Sequence, residues 1–255
     1  MKFTGWLYKA YARRLRRQLR AAPLPGHIAL VMDGDRERAR QAEADDPGEG
    51  HRHGAEHLDE VLKWCTELGI DHVTVYPASS DDLRKRDGET AHLMDMVERA
   101  ATERLIRPEG RWRLHLAGRL DDLPESTAAA LESARTATAG RELHLTLAIG
   151  YGGHEEIVDA VRSLIGREAA SGEGLAALAE RLEPDDIAAH LHTSGLPEPD
   201  LVIRTGGERP PSSFPPWQTA RSEPYFTDAH WPGFRYIDFL RALRAYAARL
   251  GHGAA

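Results

Sequence analysis

Two segments far apart in the chain carry side chains suited to holding phosphate groups. Near the start, His27-Ile-Ala-Leu-Val-Met-Asp33-Gly34 is an apolar run that empties into a carboxylate and a glycine. Near the end, Asp200-Leu-Val-Ile-Arg204-Thr-Gly-Gly-Glu208 is a second apolar run, emptying into a guanidinium and paired glycines. A carboxylate directly after a strand can hold a divalent cation, and a glycine at a strand-to-helix turn lets backbone N–H groups approach an anion. Arg204 offers a planar fork of donors that matches phosphate oxygens two at a time, and Gly206-Gly207 allows close approach of the backbone beside it. Taken singly, Asp-Gly is equally well explained by a turn and the arginine by a structural ion pair. The acidic Glu223 stands in an aromatic neighbourhood of Trp217, Tyr225, Phe226 and Trp231, and taken alone reads as a surface carboxylate.

Such residues act only if secondary structure brings them to one place. The apolar run from Ile28 to Met32 reads as a buried strand, and 71–76, 112–117, 143–149 and 201–203 read as further strands. Helical periodicity runs over 54–68, 87–104, 122–138, 153–169 and 235–250, with Gly69 and Gly140 as stops. Strands alternating with helices predict an α/β fold whose mainly parallel central sheet is flanked by helices. In open sheets of this kind ligands gather beyond the carboxyl ends of the strands. The residues delivered there are Asp33-Gly34, Ser79-Ser80, Gly150-Tyr-Gly-Gly153 and Arg204 to Glu208. Two segments read as loops: the acidic, turn-rich stretch 45–50, and Arg209-Pro-Pro-Ser-Ser-Phe-Pro-Pro216, too rich in proline for a central strand.

Bulk properties narrow the function classes. A chain of 255 residues can bury roughly 70–75% of its unfolded surface, enough for one core without disulfides. The lone Cys65 lies in an apolar-periodic helical pattern with no second cysteine to pair, as expected for a buried thiol in a reducing, cytoplasmic setting. No run of about 18 apolar residues is present, so no membrane span is expected. A net charge of −7 argues against nucleic acid as a general partner. The first residues are the exception, because Lys2, Lys9, Arg13, Arg14, Arg16, Arg17 and Arg20 occur there without an acid. Leu7, Tyr8, Tyr11, Leu15 and Leu19 form an apolar side to the same helix. A basic helical arm over 1–25 therefore precedes one domain over 26–250. Two readings of the arm stand open: peripheral contact of residues 1–20 with an anionic bilayer, or packing on the chain's own domain.

From about His27 to Ala248 the chain resembles the cis-prenyltransferase (isoprenyl transferase) family. The resemblance rests on His27 to Gly34, Gly150-Tyr-Gly-Gly153 followed by Ile157-Val-Asp-Ala-Val-Arg162, Asp200 to Glu208, Glu223-Pro-Tyr-Phe-Thr-Asp228 and Trp231-Pro232. It implies condensation of isopentenyl diphosphate with an allylic diphosphate, dependent on Mg²⁺, in a homodimer. Asp33 would then coordinate Mg²⁺ and act catalytically, with Gly34 and neighbouring N–H groups cradling the allylic diphosphate and His51 nearby. Arg204 and Ser212 would hold isopentenyl diphosphate, Ser80 would lie at the substrate edge, and Glu223 would be a metal ligand associated with the dimer.

Departures from the family pattern cluster on phosphate contacts. The segment after Gly34 is Asp35-Arg36-Glu37-Arg38, with Glu37 where a diphosphate-binding arginine is usual; Arg36 or Arg38 would have to substitute. Two unit charges about 4 Å apart interact by roughly 4 kcal/mol at an effective dielectric of about 20, so exchanging an attracting charge for a repelling one costs several. Pro210 replaces a further arginine and leaves Arg209 one place out of register. Leu83 and Thr193 to Asp200, with the basic arm, most resemble the short-chain, farnesyl-type branch. Two functions follow as expectations: a short-chain cis-prenyltransferase, or a catalytically weak paralogue that binds isoprenoid diphosphates or supports an active partner subunit.

Overall fold

A computed structural model describes residues 3–32, 47–85, 88–172, 174–207, 216–231 and 233–252. Six strands are present among them: β1 (His27–Val31), β2 (His72–Ser79), β3 (Trp112–Ala117), β4 (Leu143–Tyr151), β5 (Leu201–Arg204) and β6 (Glu223–Phe226). They form one sheet in the order β3-β4-β2-β1-β5-β6, and every neighbouring pair is parallel. All six carboxyl ends therefore share one edge. Out-of-sequence order with parallel neighbours requires crossovers, and the helices between β1 and β5 supply them, while the first and last helices flank the sheet without joining strands.

The described α-helices are α1 (Phe3–Leu19), α2 (Pro47–Leu68), α3 (Ser80–Lys85), α4 (Gly88–Arg99), α5 (Glu125–Ala137), α6 (Gly153–Ser171), α7 (Leu175–Arg181), α8 (Pro184–Ala188) and α9 (Tyr236–His252). Helix α4 continues into a π-helical turn over Ala100–Leu105. Alternation along the strands puts Ile28, Leu30, Val73, Val75, Leu145 and Ile203 on one face, where they meet Val61, Leu62 and Cys65 of α2 and Phe239, Leu240 and Leu243 of α9. A second cluster joins Met94, Val97 and Ala101 to Leu114, Leu131, Ala134 and Ile149. Cys65 is fully buried, and desolvation pushes its thiol pKa far up.

The acidic stretch expected to be a loop over 45–50 is helical from Pro47 onward. Proline is pre-organised for the first helical position, where its missing N–H costs no hydrogen bond, so a turn-like sequence begins α2 instead. Strand β2 runs past its expected end to Ser79, with register shifts between Val75 and Ala78 that bracket Pro77, a residue with no N–H for the ladder.

The arm settles against the domain. Ala12, Leu15 and Leu19 of α1 are buried in the same core as α9. Tyr8 Oη accepts a hydrogen bond from the Ile237 N–H at 3.3 Å, and the Arg241 guanidinium lies 5.5 Å from the centre of the Tyr11 ring. The apolar side of α1 is thus covered by α9. Among the described residues no helix is long and apolar enough to cross a membrane.

Candidate active site

The carboxyl edge of the sheet gathers the described residues of interest. Arg204 ends β5 directly opposite Val31, which ends β1. The Thr205 N–H donates to the Val31 carbonyl at 3.2 Å, so the turn leaving β5 is tied to the strand that leads into Met32. Arg204 and Thr205 are buried, at 6% and 1% exposure. A guanidinium at that depth is held in one place and needs an anion or several acceptors around it.

Gly206 and Gly207 follow with φ of 86° and 89°, values that favour glycine. Their N–H groups donate to the Ala229 and Thr227 carbonyls, both at 3.0 Å, while the Thr227 N–H donates back to the Arg204 carbonyl at 3.0 Å. The paired glycines therefore serve to clamp the Arg204 turn onto the segment after β6. Both amides are committed within the protein.

Ser80 opens α3 at the same edge, beside the turn that leaves β4. Its hydroxyl donates to Glu155 Oε1 at 3.3 Å, and Arg84 Nη2 donates to the same oxygen at 2.6 Å. The Arg84 guanidinium holds the Glu155 carboxyl below its ordinary pKa. Ser79 and Asp82 cap each other reciprocally, the Ser79 N–H donating to Asp82 Oδ2 at 3.1 Å and the Asp82 N–H to Ser79 Oγ at 3.2 Å. Space here is tight: a Cβ on Gly152 would stand 2.0 Å from Glu155 Oε2 and 2.7 Å from Ser80 Oγ.

Behind this edge lies a buried polar hub that sequence reasoning missed. Glu156, in the first turn of α6 and 2% exposed, accepts from the Tyr151 hydroxyl, from Gln218 Nε2 at 2.8 Å and from the His192 N–H at 3.0 Å. Gln218 also donates to Thr193 Oγ1 at 2.9 Å. Burial and the adjacent Glu156 charge push the Tyr151 phenol far up, so it stays protonated and remains a donor. The hub fixes Trp217-Gln218 just downstream of the proline-rich segment. Gln218 and Glu156 are separated by 62 positions, so nothing local in the sequence announces their contact.

Other expected site residues fall elsewhere. Asp33, Gly34, Arg36, Arg38, Arg209 and Ser212 lie outside the described residues, as do Glu37 and Pro210. His51 belongs to α2, whose backbone there is helical. Glu223 begins β6 opposite Leu201, at the amino end of the sheet, and its Oε2 accepts from Arg249 Nη1 at 2.7 Å. Three residue steps of strand put it about 10 Å from the level of Arg204. The structure thus does not bring Glu223 together with Arg204 within one chain. Among the described residues, no three or more His, Cys, Asp or Glu side chains group so as to hold a metal ion.

A parallel sheet with a buried arginine at its carboxyl edge defines an open α/β protein built to bind an anionic ligand beyond the strand ends. The chain belongs to the cis-prenyltransferase family: the family model described as "Putative undecaprenyl diphosphate synthase" matches residues 31–252. An isoprenyl transferase of Streptomyces fradiae is 52% identical, over 98% of this chain and 98% of its own length. A short-chain Z-isoprenyl diphosphate synthase of Mycobacterium leprae is 45% identical, over 95% of this chain and 94% of its own. Among solved structures, lavandulyl diphosphate synthase from Lavandula x intermedia, crystallised with dimethylallyl diphosphate, superimposes with a TM-score of 0.80 at 28% identity, covering 89% of this chain and 96% of that one. The α/β fold and the resemblance read from the sequence are both borne out.

Proposed function

We infer that this enzyme joins isopentenyl diphosphate to a short allylic diphosphate and releases a short cis-prenyl diphosphate. The observation that carries the reading is Arg204, buried and level with the end of β1, the strand that precedes Asp33 in the sequence. In the reaction the allylic C–O bond breaks, the isopentenyl double bond attacks the resulting cation, and a proton leaves the new chain. The barrier falls when charge growing on the leaving diphosphate meets fixed cations and N–H donors. Arg204 would grip isopentenyl diphosphate in one orientation, with Ser212 and Arg209 from the loop beyond it. Gly34, Arg36, Arg38 and His51 would serve the allylic diphosphate, and Ser80 would hold the neighbouring turn in place through Glu155.

Asp33 is the residue we assign to Mg²⁺, which would neutralise charge on the leaving diphosphate. Mg²⁺ usually takes one or two carboxylates together with substrate phosphates, so a single aspartate beside two diphosphates is a suitable donor set. Glu223, distant from Arg204 in its own chain, is assigned to the interface of a homodimer, where any contact with metal would be made toward the partner subunit.

The test is incubation of the purified protein with labelled isopentenyl diphosphate, Mg²⁺ and geranyl or farnesyl diphosphate. Extended product is expected, and no product with any primer overturns the reading. The same assay on Glu37→Arg addresses the weak-paralogue alternative, which that acid motivates. Turnover by the unaltered chain excludes the alternative; ligand binding without turnover, rescued by the substitution, supports it.

A further inference from the structure

Helix α1 presents two unlike sides. Its apolar side lies on α9, so the helix is not available to sink that side into a bilayer. On the outward side Trp6, Ala10, Arg13 and Arg17 recur at helical spacing and are exposed, flanked by exposed Lys9, Arg14 and Arg20. Trp6 and Leu7, at the tip, are 66% and 58% exposed. The helix contains no acid, and all 40 acidic residues of the chain lie beyond residue 20. A chain of net charge −7 therefore carries a helix with a basic outward face and an aromatic anchor at its end, edged by the Arg16–Glu67 ion pair at 3.7 Å.

We propose that the outward face of α1 is a docking surface for an anionic lipid bilayer, the arginines lying on the headgroups and Trp6 with Leu7 entering the interface. Charge complementarity selects an anionic partner. The adjacent exposed tryptophan and leucine select a bilayer over nucleic acid, because aromatic side chains settle at headgroup level and offer little to a phosphodiester backbone held by cations alone. The domain then hangs from the membrane by α9, with the buried side of α1 as its fastening. This inference rests in part on the proposed reaction, whose prenyl diphosphate product is an amphiphile that partitions into lipid.

The experiment is co-sedimentation of the full chain with vesicles of phosphatidylcholine, alone or mixed with phosphatidylglycerol. Binding to the mixed vesicles at low salt, release by added salt and little binding to the neutral ones are expected. Each cation near such a surface contributes about 1 kcal/mol, so Arg13→Ala with Arg17→Ala should lower partitioning about 20- to 30-fold. Trp6→Ala should lower it severalfold and abolish the blue shift of tryptophan emission on binding. Wild-type protein that stays in the supernatant overturns the proposal, as does equal binding of neutral vesicles. Trp6→Ala that binds vesicles like wild type, while duplex DNA competes the protein off, would indicate a general polyanion surface and also overturns it. So would loss of self-association, rather than of vesicle binding, in Trp6→Ala. If the double arginine variant melts early, salt release and Trp6→Ala decide. Condensation is assayed in parallel in detergent, so failure to dock and failure to turn over are read separately.

Discussion

Arg204 is where chemistry and packing meet most closely. Its guanidinium is buried at a strand end, so the backbone and the turn clamped by Gly206 and Gly207 set its direction. Arg204→Lys keeps the charge and loses the planar fork. A fall of about 10- to 100-fold in kcat/KM is expected, mostly as a higher KM for isopentenyl diphosphate, with the melting temperature little changed. An unchanged KM would remove Arg204 from the diphosphate site. This residue was legible in the sequence because a cation followed a short apolar run. The paired glycines were legible as a turn, but not the use of their amides, which depends on carbonyls of a strand-following segment 20 or more positions away. The Arg84–Glu155 contact, spanning 71 positions, left no local pattern to read.

At the scale of elements, the turn from β4 into α6 packs against the start of α3 with little space. Gly152 has an ordinary φ of −131°, so its need for glycine comes from its neighbours alone. Gly152→Ala would displace Glu155 and Ser80 and break their hydrogen bond. A loss of about 1–3 kcal/mol is expected, seen as a lower urea midpoint at unchanged slope. A midpoint equal to wild type would mean that those side chains relocate freely. Long elements with clean periodicity were read to within a few residues, as for β3 and α6. What escaped were short elements held by tertiary contacts: α3, α7, α8 and β6. Strand β6 contains Pro224, which argues against a strand from sequence, yet at the edge of the sheet a missing N–H is tolerated.

Across the whole molecule, the two ends of the sheet differ in chemistry. The carboxyl edge carries the buried Arg204, whereas the amino end carries a row of histidines. His27 is buried, with Nδ1 donating to the Pro197 carbonyl and Nε2 accepting from Thr74 Oγ1, both at 2.8 Å. The His72 and His144 rings stack at 4.4 Å, and His115 Nε2 lies 2.9 Å from His144 Nδ1. Burial, opposed by the Pro197 hydrogen bond and the Asp200 carboxylate and reinforced by His72, brings the His27 pKa down from 6.5 to about 4. Burial and the adjoining His144 and Arg113 bring His115 to about 4 as well. Between these values and 6.5 the unfolded chain takes up protons that the folded chain refuses. Stability contributed by neutral His27 is therefore full above pH 6.5 and is lost as pH falls toward 4, on the order of 3 kcal/mol. Thermal melts from neutral to acid pH should show this slope, and His27→Gln should flatten part of it. Equal slopes in both proteins would rule His27 out as the titrating group.

The single thiol of this chain sits wholly inside the core formed by α2 and α9, with its ionisation suppressed by burial. Only a thiolate exchanges with disulfides or is readily oxidised. While the fold persists, peroxide and glutathione have no handle on this thiol. Swings of redox state that silence a catalyst through an accessible cysteine have no such route into this chain.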